Sequence, residues 1–336
     1  MSTSAAIRET LVSQLVACRR MLYANSWMAG IMRAVGLRSY LEDISLHEHM
    51  LADSVRLHAY HEAIRRYVMP QDDVVDVGTG TGVLAFFAAA KSPRRVYALD
   101  HSKRMLELAA AAAAANGIGC SNVIFDASTS RRFRPAEPVD VIVHDQMGVA
   151  LFDEGMVETI LDLRDRCMKP GGRILPAKFE FYLEPVQLVS RERIPLLQEQ
   201  CVYGLAFPRP AIAPTSDYYF REIYPEDVEY LLCEPAASFA FDLSTLSREQ
   251  LPSQFSTKKP VKRDGQRDGI CIYFKAIFDN DISFSTGPDS AKTHWPMLFY
   301  RTPARIYRVG ETLSLKVDTP DLSEHHGWSW QIDSPT

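Results

Sequence analysis

Asp76-Val77-Gly78-Thr79-Gly80-Thr81-Gly82 places three glycines and a carboxylate directly after a short apolar run. Glycine lacks a Cβ, so such a turn can take positive φ and let a ligand approach the backbone closely. A helix opening at Val83 adds amide donors and the positive end of its dipole. Asp100 ends the next apolar run, where an acidic side chain can accept both hydroxyls of a ribose. Asp76 sits inside the strand end, able to orient the turn or to meet an ammonium group. The spacing G-x-G-x-G differs from the G-x-G-x-x-G of a nicotinamide site. It suits S-adenosylmethionine, which has no pyrophosphate to hold, with a dinucleotide as the alternative. By themselves the glycines are also compatible with a plain tight turn.

The elements that must position this turn alternate in type. Val74–Val77, Val96–Leu99, Val123–Phe125 and Val139–Val143 read as strands. Val83–Ala90, Lys103–Ala115 and Met156–Met168 read as helices, the last stopped by Lys169-Pro170-Gly171-Gly172. Such alternation implies βαβ units and a parallel sheet. After Pro176, Phe179–Leu188, Ser238–Leu243, Ile270–Phe278 and Leu298–Tyr300 read as strands without intervening helices, implying an antiparallel barrel or sandwich. Leu11, Leu15, Cys18 and Leu22 form a helical stripe in residues 5–35. The basic run Lys258-Lys259-Pro260-Val261-Lys262-Arg263 reads as a solvated loop.

The 336 residues are long enough for two domains, and 46% apolar with 24% charged residues is ordinary for a globular protein. A net charge of −5 argues against general nucleic-acid binding. Six cysteines show no C-x-x-C pair, so neither a zinc site nor a disulfide framework is expected. Arg8 and Glu9 argue against a signal peptide, and no apolar run approaches the roughly 18 residues of a membrane span. A soluble, cytoplasmic protein with no metal site is expected.

Several separated segments resemble the protein arginine N-methyltransferases, with the pattern of a divergent, bacterial-type member. They are Leu46-His47-Glu48-His49-Met50-Leu51-Ala52-Asp53-Ser54-Val55-Arg56, the glycine turn with Asp100, and His144-Asp145-Gln146-Met147-Gly148 followed by Leu151-Phe152-Asp153-Glu154-Gly155-Met156. Phe284-Ser285-Thr286 and Thr293-His294-Trp295 continue the resemblance. It implies an α/β Rossmann-like class I methyltransferase domain followed by an antiparallel β-barrel domain with a dimerisation arm. The expected divisions are a helical segment and lid at 1–45, a cofactor domain at 46–176 and a barrel at 177–336. The arm is expected around 203–225, and a homodimer with it.

On this resemblance Asp145 and Glu154 are the acceptor-binding carboxylates. An arginine guanidinium is planar, permanently charged and donor-rich, and two carboxylates can fix its plane. Loop Asp and Glu are usually merely solvated, but a position after a strand end favours function. The family has glutamate where this chain has Asp145, and tryptophan where it has Gln146. His294 is expected to pair with Asp53, shaping the acceptor pocket and helping to carry away a proton. Arg56 is expected to pair with the cofactor carboxylate, His47 to touch the cofactor, and Ser128 or Thr129 to reach the adenine edge. Met50, Met147 and Trp295 are expected to line the acceptor pocket. A Y-F-x-x-Y lid helix of the family is absent, with only Tyr40 nearby.

The resulting expectation is methyl transfer to an arginine guanidino nitrogen in a protein or peptide. Free arginine or another small guanidino compound is the second acceptor class. A catalytically idle, dimeric cofactor-binding module is the non-enzymatic alternative, since fold alone does not fix function.

Overall fold

The computed structural model describes residues 43–118, 122–208 and 219–333. The expected N-terminal stripe and most of the expected lid therefore lie outside the described residues. Contacts divide the chain between Met50 and Leu51. Helix α1 (Ile44–Ala52) crosses that division, and His47 and Met50 belong to its first side.

Beyond it, α2 (Ser54–Tyr67) is capped by Asp53, whose carboxylate accepts the Arg56 amide at 2.9 Å. Its buried residues Arg56, Ala59, Tyr60, Ala63 and Ile64 follow helical spacing. One face thus carries both a charged and a phenolic group inward, one turn apart.

Strands β1 (Asp73–Val77), β2 (Arg95–Leu99), β3 (Val123–Asp126), β4 (Val139–His144) and β5 (Met168–Leu175) form a parallel sheet in the order β3-β2-β1-β4-β5. Helices α3 (Val83–Ala89), α4 (Lys103–Ala115) and α5 (Met156–Cys167) connect them. The order reverses between β1 and β4, so the crevice beyond their carboxyl ends is a ligand-binding position of an open α/β sheet. Their register pairs Val77 with His144, which sets the glycine turn beside the residues following β4. Lys169-Pro170-Gly171-Gly172 is not a loop but part of β5, bulged between the Met168–Val139 and Arg173–Val141 pairs.

The parallel sheet ends at Leu175 and the antiparallel structure starts at Lys178. Strands β6 (Lys178–Leu188), β7 (Cys201–Val202), β8 (Leu205–Ala206), β9 (Phe220–Ile223), β10 (Val228–Leu231), β11 (Phe239–Asp242), β12 (Gln254–Pro260), β13 (Gly265–Ile277), β14 (Ser283–Ser285), β15 (Met297–Tyr307), β16 (Thr312–Asp318) and β17 (Ser329–Ile332) follow. One sheet runs β10-β6-β13-β15-β9, with β11 on β6 and β14 on β13; a second runs β12-β16-β17. Among the described residues the hydrogen bonding does not close a ring, and the antiparallel domain expected from the sequence is a curled half-barrel. Phe181 of the first sheet meets Phe255 and Trp328 across the shared core.

One sequence expectation changes here. Lys258–Pro260 lies on β12, and Lys259 points inward at 5% exposure, paired with the buried Glu184 of β6. Burying a charge is costly unless it is paired, and Glu184 supplies the partner. Within the stretch 203–225 where an arm is expected, Phe220–Ile223 pairs with β15 in the sheet. β7 and β8 form a small hairpin around Tyr203-Gly204, with Tyr203, Leu205 and Phe207 exposed; residues 209–218 lie outside the described residues. Cys167, Cys201, Cys233 and Cys271 are free thiols. Among the described residues no helix is long and apolar enough to cross a membrane, and no cluster has the make-up of a metal site.

Candidate active site

Gly78, Gly80 and Gly82 all have positive φ, at 77°, 52° and 87°. The amides of Gly78 and Thr79 both donate to the Leu99 carbonyl, at 2.8 and 2.9 Å, which folds the turn over the end of β2. A Cβ at Gly82 would come 2.4 Å from the Phe86 ring, so glycine is required for packing as well as for φ. Asp76 accepts the Thr79 hydroxyl at 2.6 Å and the Ala85 amide at 3.1 Å. Of its two expected roles, the geometry gives it the orientation of the turn. Burial pushes its carboxyl up to about 7, against the pull of those two donors. Asp100 accepts the Gly80 amide at 3.0 Å and the Ser102 amide at 2.8 Å, fixing its carboxylate at the turn.

Beyond β3, the Ser128 hydroxyl is buried and has no partner among the described residues, while its amide donates to Asp126 at 2.9 Å. Thr129 is exposed, and its carbonyl closes the following turn by accepting the Phe133 amide. A turn with open glycine backbone, a carboxylate at the next strand end and an orphaned hydroxyl after the third strand fit an adenosyl group.

Arg56 and Asp145 do not stand apart. The Arg56 guanidinium, 2% exposed, forms an ion pair with the Asp145 carboxylate. The Tyr60 hydroxyl lies 2.7 Å from the His144 carbonyl and 3.0 Å from the other Asp145 oxygen. The residue expected to hold the cofactor carboxylate therefore holds the residue expected to hold the acceptor. Burial, with Asp145 adding to it, raises the Tyr60 pKa well above its ordinary value, so the phenol remains a donor. Tyr60 was missed in the sequence, although its place one turn after Arg56 was a usable signal. His144 was not assigned a role either. Its Nε2 is 2.9 Å from the Pro176 carbonyl, and burial pushes its pKa down to about 4, keeping the ring neutral.

The loop after β4 is closed by a bridge between Gly148 and Leu151, with Leu151 at φ 66°. A Cβ at Gly148 would meet the Asp153 Cβ at 2.7 Å, so the backbone there must be bare. Asp153 accepts the Ala150 amide at 3.2 Å and lies 3.4 Å from His325 Nδ1, a link to the half-barrel that the sequence did not suggest. Glu154 is half-buried, and no cation pairs with it among the described residues. Burial first, then the charges of Asp145 and Asp153, push its carboxyl up to about 8.

His294 and Asp53 are paired as expected from the sequence, with Nδ1 2.9 Å from Oδ2. The same oxygen accepts the His294 amide at 2.8 Å. Asp53 thereby joins the loop before β15 to the helix that carries Arg56 and Tyr60. Burial acts to raise the Asp53 pKa, but hydrogen bonds from the His294 ring and from the Arg56 and His294 amides outweigh it and hold it low. Two expected pocket residues are core residues instead. Met147 is 1% exposed, and Trp295 is buried, stacked on Phe284 with centroids 5.6 Å apart. Trp295 Nε1 donates to the Met147 carbonyl at 2.7 Å, which anchors the acidic loop from behind. Their side chains pack behind the acidic loop.

Residues 74–172 match a model described as a methyltransferase domain, and residues 213–326 one described as the arginine methyltransferase oligomerization subdomain. Protein arginine N-methyltransferase 6 of Xenopus tropicalis is 31% identical over 270 residues, covering 75% of this chain and 76% of its own. The protein of the same name from Danio rerio is 32% identical over 267 residues, covering 75% of each chain. Among solved structures, Arabidopsis thaliana protein arginine methyltransferase 10 shares the fold with a TM-score of 0.70 at 22% identity, covering 88% of this chain and 93% of its own. The Trypanosoma brucei PRMT1 enzyme-prozyme heterotetrameric complex with AdoHcy gives a TM-score of 0.69 at 22% identity, covering 83% and 88%. The chain belongs to the protein arginine N-methyltransferase family.

Proposed function

We propose that the protein transfers a methyl group from S-adenosylmethionine to a guanidino nitrogen of arginine in a protein or peptide. The observation that carries this reading is Glu154, a half-buried carboxylate with no cation paired to it among the described residues, beside Asp145 and Asp153. Such a cluster is electrostatically unfavourable until a cation arrives, and a guanidinium is a cation with matching donors.

When bound, S-adenosylmethionine supplies an electrophilic sulfonium methyl. The chain's own residues do the rest. The glycine turn and Asp100 hold the ribosyl part, and Ser128 offers a hydroxyl at the adenine edge. Glu154, once ionised, draws the guanidinium charge toward the nitrogens it contacts. The nitrogen facing the methyl keeps more lone-pair character, and attack then depends on alignment. The proton that this nitrogen would lose on methylation has an acceptor nearby. His294, held at Nδ1 by Asp53, presents Nε2 as an acceptor near the acidic loop and stabilises the pocket.

A homodimer belongs to the same proposal, supported by the match to an oligomerization subdomain and by the exposed Tyr203, Leu205 and Phe207. Sedimentation at micromolar concentration should show dimer; monomer alone would contradict it. A cytoplasmic location is proposed with it, in keeping with the free thiols. A second reading, methylation of free arginine or a small guanidino compound, is favoured by the engagement of Asp145 with Arg56, which changes the acceptor wall. Incubation with labelled cofactor and both acceptor classes separates the two. Label on proteins or peptides is expected, and label on small molecules alone would contradict the first reading.

A further inference from the structure

Gln146 follows Asp145 at the end of β4 and lies over the first glycine of the cofactor turn. A Cβ at Gly78 would come 3.6 Å from its Nε2 and 3.8 Å from its Cγ. Its Oε1 is buried and accepts no hydrogen bond among the described residues. An amide oxygen shut away from water without a donor is a destabilising arrangement, and its persistence asks for a ligand that completes it. Most neighbouring carboxylate oxygens are engaged: Oδ2 of Asp76 by Thr79 and Ala85, both oxygens of Asp100 by Gly80 and Ser102, and both of Asp145 by Arg56 and Tyr60.

The reading of this crevice as an adenosylmethionine site, on which the inference rests, brings an α-ammonium group to it. An ammonium has three donors and no acceptor. Asp76 commits Oδ2 to the turn it orients, and an ammonium with three donors needs an oxygen beyond the one that Asp76 leaves. We propose that Gln146 Oε1 receives the ammonium group of the cofactor, making Gln146 a cofactor-binding residue of this chain. The packing of its side chain against Gly78 favours the cofactor over the acceptor guanidinium, the other donor-rich group of the reaction.

The test uses calorimetric binding of two probes to the full chain. S-Adenosylhomocysteine carries the ammonium, and 5′-methylthioadenosine lacks the whole amino-acid end. Gln146→Met should weaken S-adenosylhomocysteine by roughly tenfold or more, the loss expected for one hydrogen bond to a charged donor. It should leave 5′-methylthioadenosine within about twofold. Gln146→Ala, which vacates the space, carries the same expectation if Gln146→Met folds poorly. Equal affinity of wild type and variant for S-adenosylhomocysteine would overturn the proposal. So would equal loss for both probes, or a loss seen only in the acceptor KM. Failure of the wild-type protein to bind either probe would overturn the cofactor reading itself, a result distinct from the failure of Gln146 alone.

Discussion

Replacing Glu154 by glutamine should stabilise the protein at high pH. The Glu154 carboxyl moves from 4.5 to about 8 on folding, because it is buried and faces Asp145 and Asp153. A raised carboxyl means that between those two values the folded state keeps a proton the unfolded state has lost. Stability from this group is therefore full below pH 4.5 and falls as pH rises through about 8. The full shift corresponds to roughly 5 kcal/mol, and water reaching the half-buried loop reduces the expectation to roughly 2 kcal/mol. Glu154→Gln removes the titration and leaves the other groups in place. Urea unfolding of both proteins at a series of pH values should show near-equal stability at the acid end. By pH 9 the variant should lead by roughly 2 kcal/mol. A variant that is equal or less stable at pH 9 would mean that Glu154 is already compensated, and the argument for a guanidinium site there would fail.

The same group predicts the pH profile of turnover. With saturating cofactor, kcat/KM for the acceptor should rise about tenfold per pH unit and level off above about 8, where Glu154 is ionised. A profile flat from pH 6 to 9 would contradict its role. Asp53→Asn should cost roughly 1–3 kcal/mol at pH 7, since asparagine can keep the helix cap through its oxygen but sets an NH2 donor against the His294 amide and ring. Because the Asp53 pKa is held below 3.8, that cost should persist to pH 5 and disappear as the wild-type carboxyl protonates. Thermal unfolding at both pH values checks it. Lys259→Met should destabilise by roughly 3–5 kcal/mol by leaving Glu184 buried and unpaired. Adding Glu184→Leu should recover most of the loss in the same unfolding experiment.

What the sequence made legible is what local pattern encodes. The strand–turn–helix around Gly78–Gly82, α4 with its run of alanines, and β6 were readable because apolar spacing and propensity act over a few residues. The pairing of His294 with Asp53 came from the family likeness, as no spacing rule links those positions. Features set by distant partners were hidden. Lys259 reads as part of a basic loop until β12 turns it inward onto Glu184. Asp145 reads as an open acceptor ligand until α2 brings Arg56 and Tyr60 against it. Met147 and Trp295 lie close to the functional residues in sequence, yet both are buried in the core, where the Trp295 indole stacks on Phe284. The link between Asp153 and His325 joins a loop of the parallel domain to the last turns of the chain, a contact no local motif signals.

The central claim is that the acidic loop presents an arginine guanidino nitrogen to the cofactor methyl. Fragmentation mass analysis of products from a mixed pool of arginine peptides, their lysine counterparts and free arginine tests it most directly. The account predicts a methyl increment on the guanidino group of arginine in the peptides, abolished in Glu154→Gln. Methylation of lysine, of a peptide terminus or of a carboxylate, or product formation that survives Glu154→Gln, would contradict it.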